Sequence, residues 1–149
     1  MKKNNFIGKS FITDNFKETQ KLAYDFAKIL ESGDVVCLYG DLGGGKTTFT
    51  QGLAEGLGIK SRIISPTFVI VRSHNFENGI LYHIDMYRIE NEKDIESLGL
   101  QEKINDKQNI TVIEWAEKLK NKLPQKRIDV EFSYKKENVR KITFRSLNQ

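Results

Sequence analysis

Apolar positions along this 149-residue chain alternate between two spacings, and the changes of spacing divide it into strands and helices. Leu22, Ala23, Phe26, Ile29 and Leu30 recur every three or four residues, which predicts an amphipathic helix. Asn15, with Glu18 three residues on, resembles a capping box at its start, and Gly33 closes it. Asp34-Val35-Val36-Cys37-Leu38-Tyr39 is a short β-branched run, the pattern of a strand buried on both faces. Helical spacing returns from Thr48 to Leu57 through Phe49, Leu53 and Leu57, with Gly56 and Gly58 marking the end. Phe68–Val71 and Ile80–Asp85 read as strands joined by a hairpin at Asn78-Gly79. Ile110–Ile113 is another buried run, ending in Glu114-Trp115. Residues 92–99 predict a short acidic helix, Ala116–Lys122 another before Pro124, and 127–134 with 139–145 a closing pair of strands around a polar turn. Phe6–Thr13 reads as an initial strand. The succession implies one α/β domain over residues 1–149, with a parallel sheet extended at its edge by antiparallel strands.

Between the strand at 34–39 and the helix that follows lies Gly40-Asp41-Leu42-Gly43-Gly44-Gly45-Lys46-Thr47. It fits the phosphate-loop pattern of Gly, four residues, then Gly-Lys-Ser/Thr, in the strand-to-helix context that the pattern requires. Glycines let backbone N–H groups curl around phosphate oxygens without Cβ clashes, and the positive end of the next helix faces the same anion. Lys46 has the reach for β- and γ-phosphates, and the Thr47 hydroxyl suits Mg²⁺. The expected fold is therefore a three-layer α/β arrangement of the P-loop NTPase type.

Composition narrows the setting. Cys37 is the single cysteine and falls in a predicted buried strand, so it reads as a packed thiol rather than a nucleophile or ligand. No apolar stretch follows the basic Met1–Asn5 start, and no run approaches a membrane span, so the expectation is a cytoplasmic protein with no membrane partner. The net charge of +4 is unevenly spread: residues 77–117 carry ten acids and four bases, residues 118–145 ten bases and three acids. The basic segment can attract RNA or an acidic protein face, but it lacks an aromatic RNA-recognition motif and reads first as a solvated surface.

A phosphate loop needs a second metal anchor, ordinarily an acid at the carboxyl end of a neighbouring parallel strand. Glu114 closes one apolar run and Asp85 another, and either suits Mg²⁺, directly or through water, or the orientation of an attacking water. Thr67, in Ser65-Pro66-Thr67-Phe68, has the chemistry to reach Mg²⁺ or the γ-phosphate from a loop; Ser65 reads equally as a turn cap. His83 lies two residues before Asp85 and shares its face, and reads as a packed, hydrogen-bonded histidine. His74 has no partner at a telling spacing. Arg88 suits phosphate charge or a pairing with Asp85, and Trp115 suits either stacking at the site or a core anchor.

Four segments in order resemble one family: Gly40-Asp41-Leu42-Gly43-Gly44-Gly45-Lys46-Thr47-Thr48-Phe49, Ser65-Pro66-Thr67-Phe68, His83-Ile84-Asp85-Met86-Tyr87-Arg88 and Ile113-Glu114-Trp115. They resemble the small bacterial ATPases of the tRNA threonylcarbamoyladenosine pathway, the TsaE family, and Glu18-Thr19 fits its N-terminal pattern. Gly44 departs from the alanine usual there, which loosens the loop without removing a contact. The resemblance implies a subunit that binds and hydrolyses ATP with Mg²⁺ and drives the cycle of two partner proteins. Those partners modify adenosine beside the anticodon, with tRNA met through the complex. It implies nucleotide contacts from Asp41, Leu42, Gly43, Gly44, Gly45, Lys46, Thr47 and Thr48, with Thr19 and the segment around Thr13 near the adenine. Glu114 would be the acid on the Mg²⁺ side, Asp85 a residue needed for hydrolysis and Thr67 a switch-like threonine.

Two other readings share the loop: a small-molecule kinase, and a scaffold that holds nucleotide without turnover. The six arginines are scattered and no segment is long enough for a kinase lid, while the Asp85 and Glu114 pair argues against a scaffold. No Asn-Lys-x-Asp segment is present to read guanine.

Overall fold

Strand β2 (Val35–Tyr39) carries the chain through the middle of a seven-stranded sheet in the computed structural model, which describes residues 3–40, 45–60, 63 and 71–148. The other strands are β1 (Ser10–Thr13), β3 (Val71–Phe76), β4 (Gly79–Asp85), β5 (Ile110–Glu114), β6 (Lys126–Lys136) and β7 (Val139–Asn148). Their order across the sheet is β1-β7-β6-β2-β5-β4-β3. The four central strands β6, β2, β5 and β4 run parallel. Antiparallel neighbours flank them on both sides, β7 and β1 beyond β6 and β3 beyond β4.

Alternation along the central strands serves two cores. Val36 and Leu38 of β2, Val112 of β5, Leu81 of β4 and Val130 of β6 face helices α1 (Phe16–Ala27) and α2 (Lys46–Gly56). Phe26, Phe49 and Phe144 fill that layer, with the Phe26 and Phe144 ring centroids 4.8 Å apart. Val35, Cys37, Ile84 and Ile113 face the other way, towards α3 (Glu92–Ser97), α4 (Leu100–Ile104) and a 3₁₀ segment, Ala116–Lys122. Helices on both faces make the three layers that the pattern of strands and helices implied.

Local chemistry sets the element ends. The Asn15 side chain accepts from the Glu18 N–H at 3.0 Å and caps α1, while the Glu18 carboxylate reaches past it to the Asp14 N–H at 2.7 Å. The capping box is thus displaced by one residue in its return bond. Only Ser10–Thr13 of the expected strand Phe6–Thr13 is extended. Gly8 turns the chain at φ +80°, and Phe6 folds inward against Phe26 and Phe144, both at 5.5 Å. The short acidic helix expected over 92–99 forms as α3, and Gly99 at φ +64° separates it from a further helix, α4. Ala116–Lys122 is 3₁₀ with a kink at Lys120, and β6 and β7 run several residues beyond the expected pair. The hairpin at Asn78-Gly79 forms with Phe76 opposite Gly79; the expected strand Phe68–Val71 lies outside the described residues except for Val71, where β3 begins.

α1 and α2 cross with their backbones nearly touching. A Cβ added at Gly52 would lie 2.2 Å from the Gln20 carbonyl oxygen, and one at Gly56 would lie 2.5 Å from that of Tyr24. Gly52→Ala is therefore expected to destabilise the fold by about 1–3 kcal/mol despite the better helix propensity of alanine. Gly58→Ala meets open space at φ +87° and is expected to lose about 1 kcal/mol from backbone strain alone. Urea unfolding of both variants measures the difference, and a neutral Gly52→Ala would contradict so close a crossing.

Candidate functional site

Parallel pairing brings the carboxyl ends of β2, β5 and β4 to one edge of the sheet. Leu38 stands opposite Glu114, and Glu114 opposite Asp85, so both acids share the face that α2 covers. The chain leaves β2 through Gly40, at φ +147°, where an added Cβ would be 2.9 Å from the Phe132 carbonyl oxygen. It enters α2 through Gly45, at φ +98°, which provides no side-chain cap. Among the described residues no N-cap side chain bonds the first-turn N–H groups of α2 at its positive end.

Lys46 and Thr47 open this helix. Lys46 is buried; its ammonium donates to the Gly40 carbonyl and lies 3.8 Å from the centre of the Trp115 ring. The Thr47 hydroxyl donates to Glu114, 3.1 Å from Oε1 and 3.4 Å from Oε2. Glu114 is only 3% exposed and also meets His83, whose Nε2 is 2.5 Å from Oε2. Asp85 is buried and accepts from the Tyr87 N–H at 2.9 Å. Trp115 holds a positive φ of 59° directly after Glu114, which turns its ring back over Lys46 and beside Tyr87 at 5.2 Å.

Thr19, the third expected contact region, lies on α1 with its hydroxyl 2.8 Å from that of Thr13 at the end of β1. Both are buried, and the Thr19 methyl and the Phe132 ring flank Gly45, each 4.0 Å from where a Cβ would be. Thr48 is half-buried in the first turn of α2. Asp41, Leu42, Gly43 and Gly44 of the loop, and Ser65 and Thr67, lie outside the described residues. Arg88 is exposed beyond β4. His74 is half-buried on β3, and burial, then the charges of His83 and Arg72, hold its pKa below the usual histidine range. The structure thus gathers Lys46, Thr47, Glu114 and Asp85 at one edge, with Thr19 beside the entry to α2.

Phe132, which packs against Gly40 and close to Gly45, was absent from the expected set; His83 is packed and hydrogen-bonded as expected, with Glu114 as its partner, and Trp115 stacks at the site over Lys46. The face shared by His83 and Asp85 was readable from their spacing of two; the pairing with Glu114 needed the β4–β5 register. Thr47, Glu114 and Asp85 offer oxygen donors of the kind a hard divalent cation takes. Among the described residues no three His, Cys, Asp or Glu side chains gather as a metal cage of their own.

A phosphate-loop sequence between a central parallel strand and a helix, with acids on the adjoining strand ends, defines an α/β protein of the P-loop NTPase type. The family model described as "Threonylcarbamoyl adenosine biosynthesis protein TsaE" matches residues 13–142. The tRNA threonylcarbamoyladenosine biosynthesis protein TsaE of Bacillus subtilis strain 168 is 44% identical over 132 residues, covering 89% of this chain and 82% of that one. Its counterpart in Rickettsia felis is 38% identical over 130 residues, covering 87% and 75%. The crystal structure of Bacillus subtilis YdiB superposes with a TM-score of 0.78 at 35% identity, over 94% of this chain and 86% of that one. The chain belongs to the TsaE family, a family of tRNA threonylcarbamoyladenosine biosynthesis. No helix among the described residues is long and apolar enough to cross a membrane.

Cys37 lies in the core beneath this edge, fully buried, and burial pushes its thiol up to about 12. It is expected to resist a thiol reagent at pH 8 in the folded protein and to react stoichiometrically in denaturant, as read by absorbance. Because the folded pKa is raised, its contribution to stability is full below the unfolded value near 9 and falls as pH rises towards 12.

Proposed function

We propose that this chain is the ATP-binding and ATP-hydrolysing subunit of the apparatus that attaches threonylcarbamoyl to adenosine beside the anticodon of tRNA. In this reading it works with two partner proteins, whose cycle its hydrolysis drives. The observation that carries the reading is the Thr47 hydroxyl 3.1 Å from the Glu114 carboxylate, at the start of a helix whose first residue is a buried lysine. A hydroxyl and a carboxylate meeting at the mouth of a Gly-rich loop are the protein's usual share of a Mg²⁺–triphosphate site.

In this reading the loop N–H groups and the α2 N-terminus take the phosphates, and Lys46 exchanges the Gly40 carbonyl and the Trp115 face for β- and γ-phosphate oxygens. Thr47 and Glu114 hold the metal side. Mg²⁺, when bound there, would supply neutralisation of phosphate charge. Asp85, on the neighbouring strand, orients the water that attacks the γ-phosphorus in line as the bond to the ADP oxygen breaks. Thr67 serves as the switch-like threonine from its loop, and Thr13 and Thr19 line the adenine side of Gly45. The family's membership in tRNA threonylcarbamoyladenosine biosynthesis supports this reading of where the hydrolysis is used.

Lys46→Ala is expected to weaken binding of a fluorescent ATP analogue about 10- to 100-fold, the scale of a lost charge-assisted contact. Asp85→Asn is expected to leave that binding within about threefold and to cut phosphate release at least 100-fold. Phosphate release is measured with and without the two partner proteins. Wild-type protein that binds ATP but releases no phosphate under either condition would identify a scaffold, and unaltered binding by Lys46→Ala would remove the loop from the site.

A further inference from the structure

Glu114 is held from two sides. Thr47 meets its carboxylate from α2, and His83 meets it from β4 with Nε2 2.5 Å from Oε2. The ring of His83 is fully buried, and the carboxylate nearly so. With the proton on Nε2 the imidazole donates and the carboxylate oxygen accepts. The approach follows from the sheet: Asp85 stands opposite Glu114 and His83 opposite Val112, so His83 lies one pleat below the acids on their face. Its other ring nitrogen, Nδ1, is buried with no hydrogen-bond partner among the described residues. A histidine kept only to fill space would leave both nitrogens to chance contacts. This one spends its single strong bond on Glu114.

The consequence is geometric. With Oε2 taken by the imidazole, the carboxylate cannot turn about its terminal bond without breaking a short charge-assisted contact. Oε1 then stays directed at Thr47, 3.1 Å away. Removing the donor would leave a nearly inaccessible carboxylate with the Thr47 hydroxyl as its remaining side-chain donor among the described residues, free to rotate or to draw water. We propose that His83 is a positioning residue for Glu114: it fixes the carboxylate so that Oε1 is presented to Thr47 and to the metal side of the nucleotide. It acts through Glu114 and itself touches neither nucleotide nor metal. The activity consequence rests on the nucleotide reading above; the His83–Glu114 contact does not.

The test has two arms. In ¹⁵N-histidine-labelled protein without nucleotide, the His83 Nε2 proton is expected far downfield, and it is expected to move upfield in Glu114→Gln. In the binding arm, His83→Leu is expected to raise the Mg²⁺ concentration needed for half-maximal ATP-analogue binding about 10- to 100-fold, the scale for a partner that orients a metal ligand. Binding of the analogue in EDTA should be unchanged. His83→Gln, whose amide nitrogen reaches to about the same place as Nε2, should recover most of the loss. In a Glu114→Gln background, adding His83→Leu should change the Mg²⁺ requirement no further. Should His83→Leu fail to fold, His83→Asn, whose amide is too short to reach Glu114, takes its place. The proposal is overturned by a His83 ring proton indifferent to Glu114, by an equal loss in EDTA, or by an equal loss in the Glu114→Gln background. Wild-type protein with no affinity for the analogue would overturn the nucleotide reading, and the ring-proton arm would still decide the His83 contact.

Discussion

Everything at the site end of this molecule depends on β2 being paired in parallel on both sides. Val36 and Leu38 are sealed under α1 and α2, Val35 and Cys37 under the opposite layer, and β5 and β6 take the backbone hydrogen bonds. A strand saturated in this way has no freedom to shift along its axis. The loop that leaves it and the acids on the strands beyond β2 therefore share one frame. Gly40 is the point where this frame is tightest, since the backbone of β6 at Phe132 leaves no room for a side chain.

Around that frame the buried polar groups find partners in one another. Glu114 accepts from Thr47 and His83, Asp85 from the Tyr87 amide, and Lys46 sits on a carbonyl and an aromatic face. Burying this much charge without such partners would cost several kcal/mol per group. The site edge is thus assembled from partnered polar groups, with contacts from Thr47 on α2, His83 on β4, the Tyr87 amide beyond β4, Trp115 just after β5 and the Gly40 carbonyl after β2.

The sequence was most legible where one local rule decides the outcome. The phosphate-loop spacing announced Lys46 and Thr47, the β-branched run announced β2, and the position of Glu114 directly after a buried run announced an acid at a strand end. It was least legible where two elements meet. No spacing in the chain says that His83 reaches Glu114, because that depends on the β4–β5 register; none says that Phe132 walls the loop from a strand about 90 residues later. Phe6–Thr13 misled because its apolar residues suit a strand equally well, and only the turn at Gly8 and the pull of the Phe26–Phe144 cluster decide otherwise. The short helix expected over 92–99 forms as α3, and α4, which follows the left-handed Gly99, was not read from the sequence.

The crossing of α1 and α2 at Gly52 and Gly56 has a mechanical meaning. Most packed helices are separated by a cushion of side chains that can repack when one helix tilts. Here Gly52 faces the backbone of Gln20 and Gly56 that of Tyr24, with nothing between to yield. The pair therefore behaves as one stiff bracket, with Thr19 on one arm and Lys46 and Thr47 on the other. A shift at the N-terminal end of α2 is therefore passed directly to α1 and to Thr19, whose hydroxyl meets that of Thr13 at the edge of the sheet.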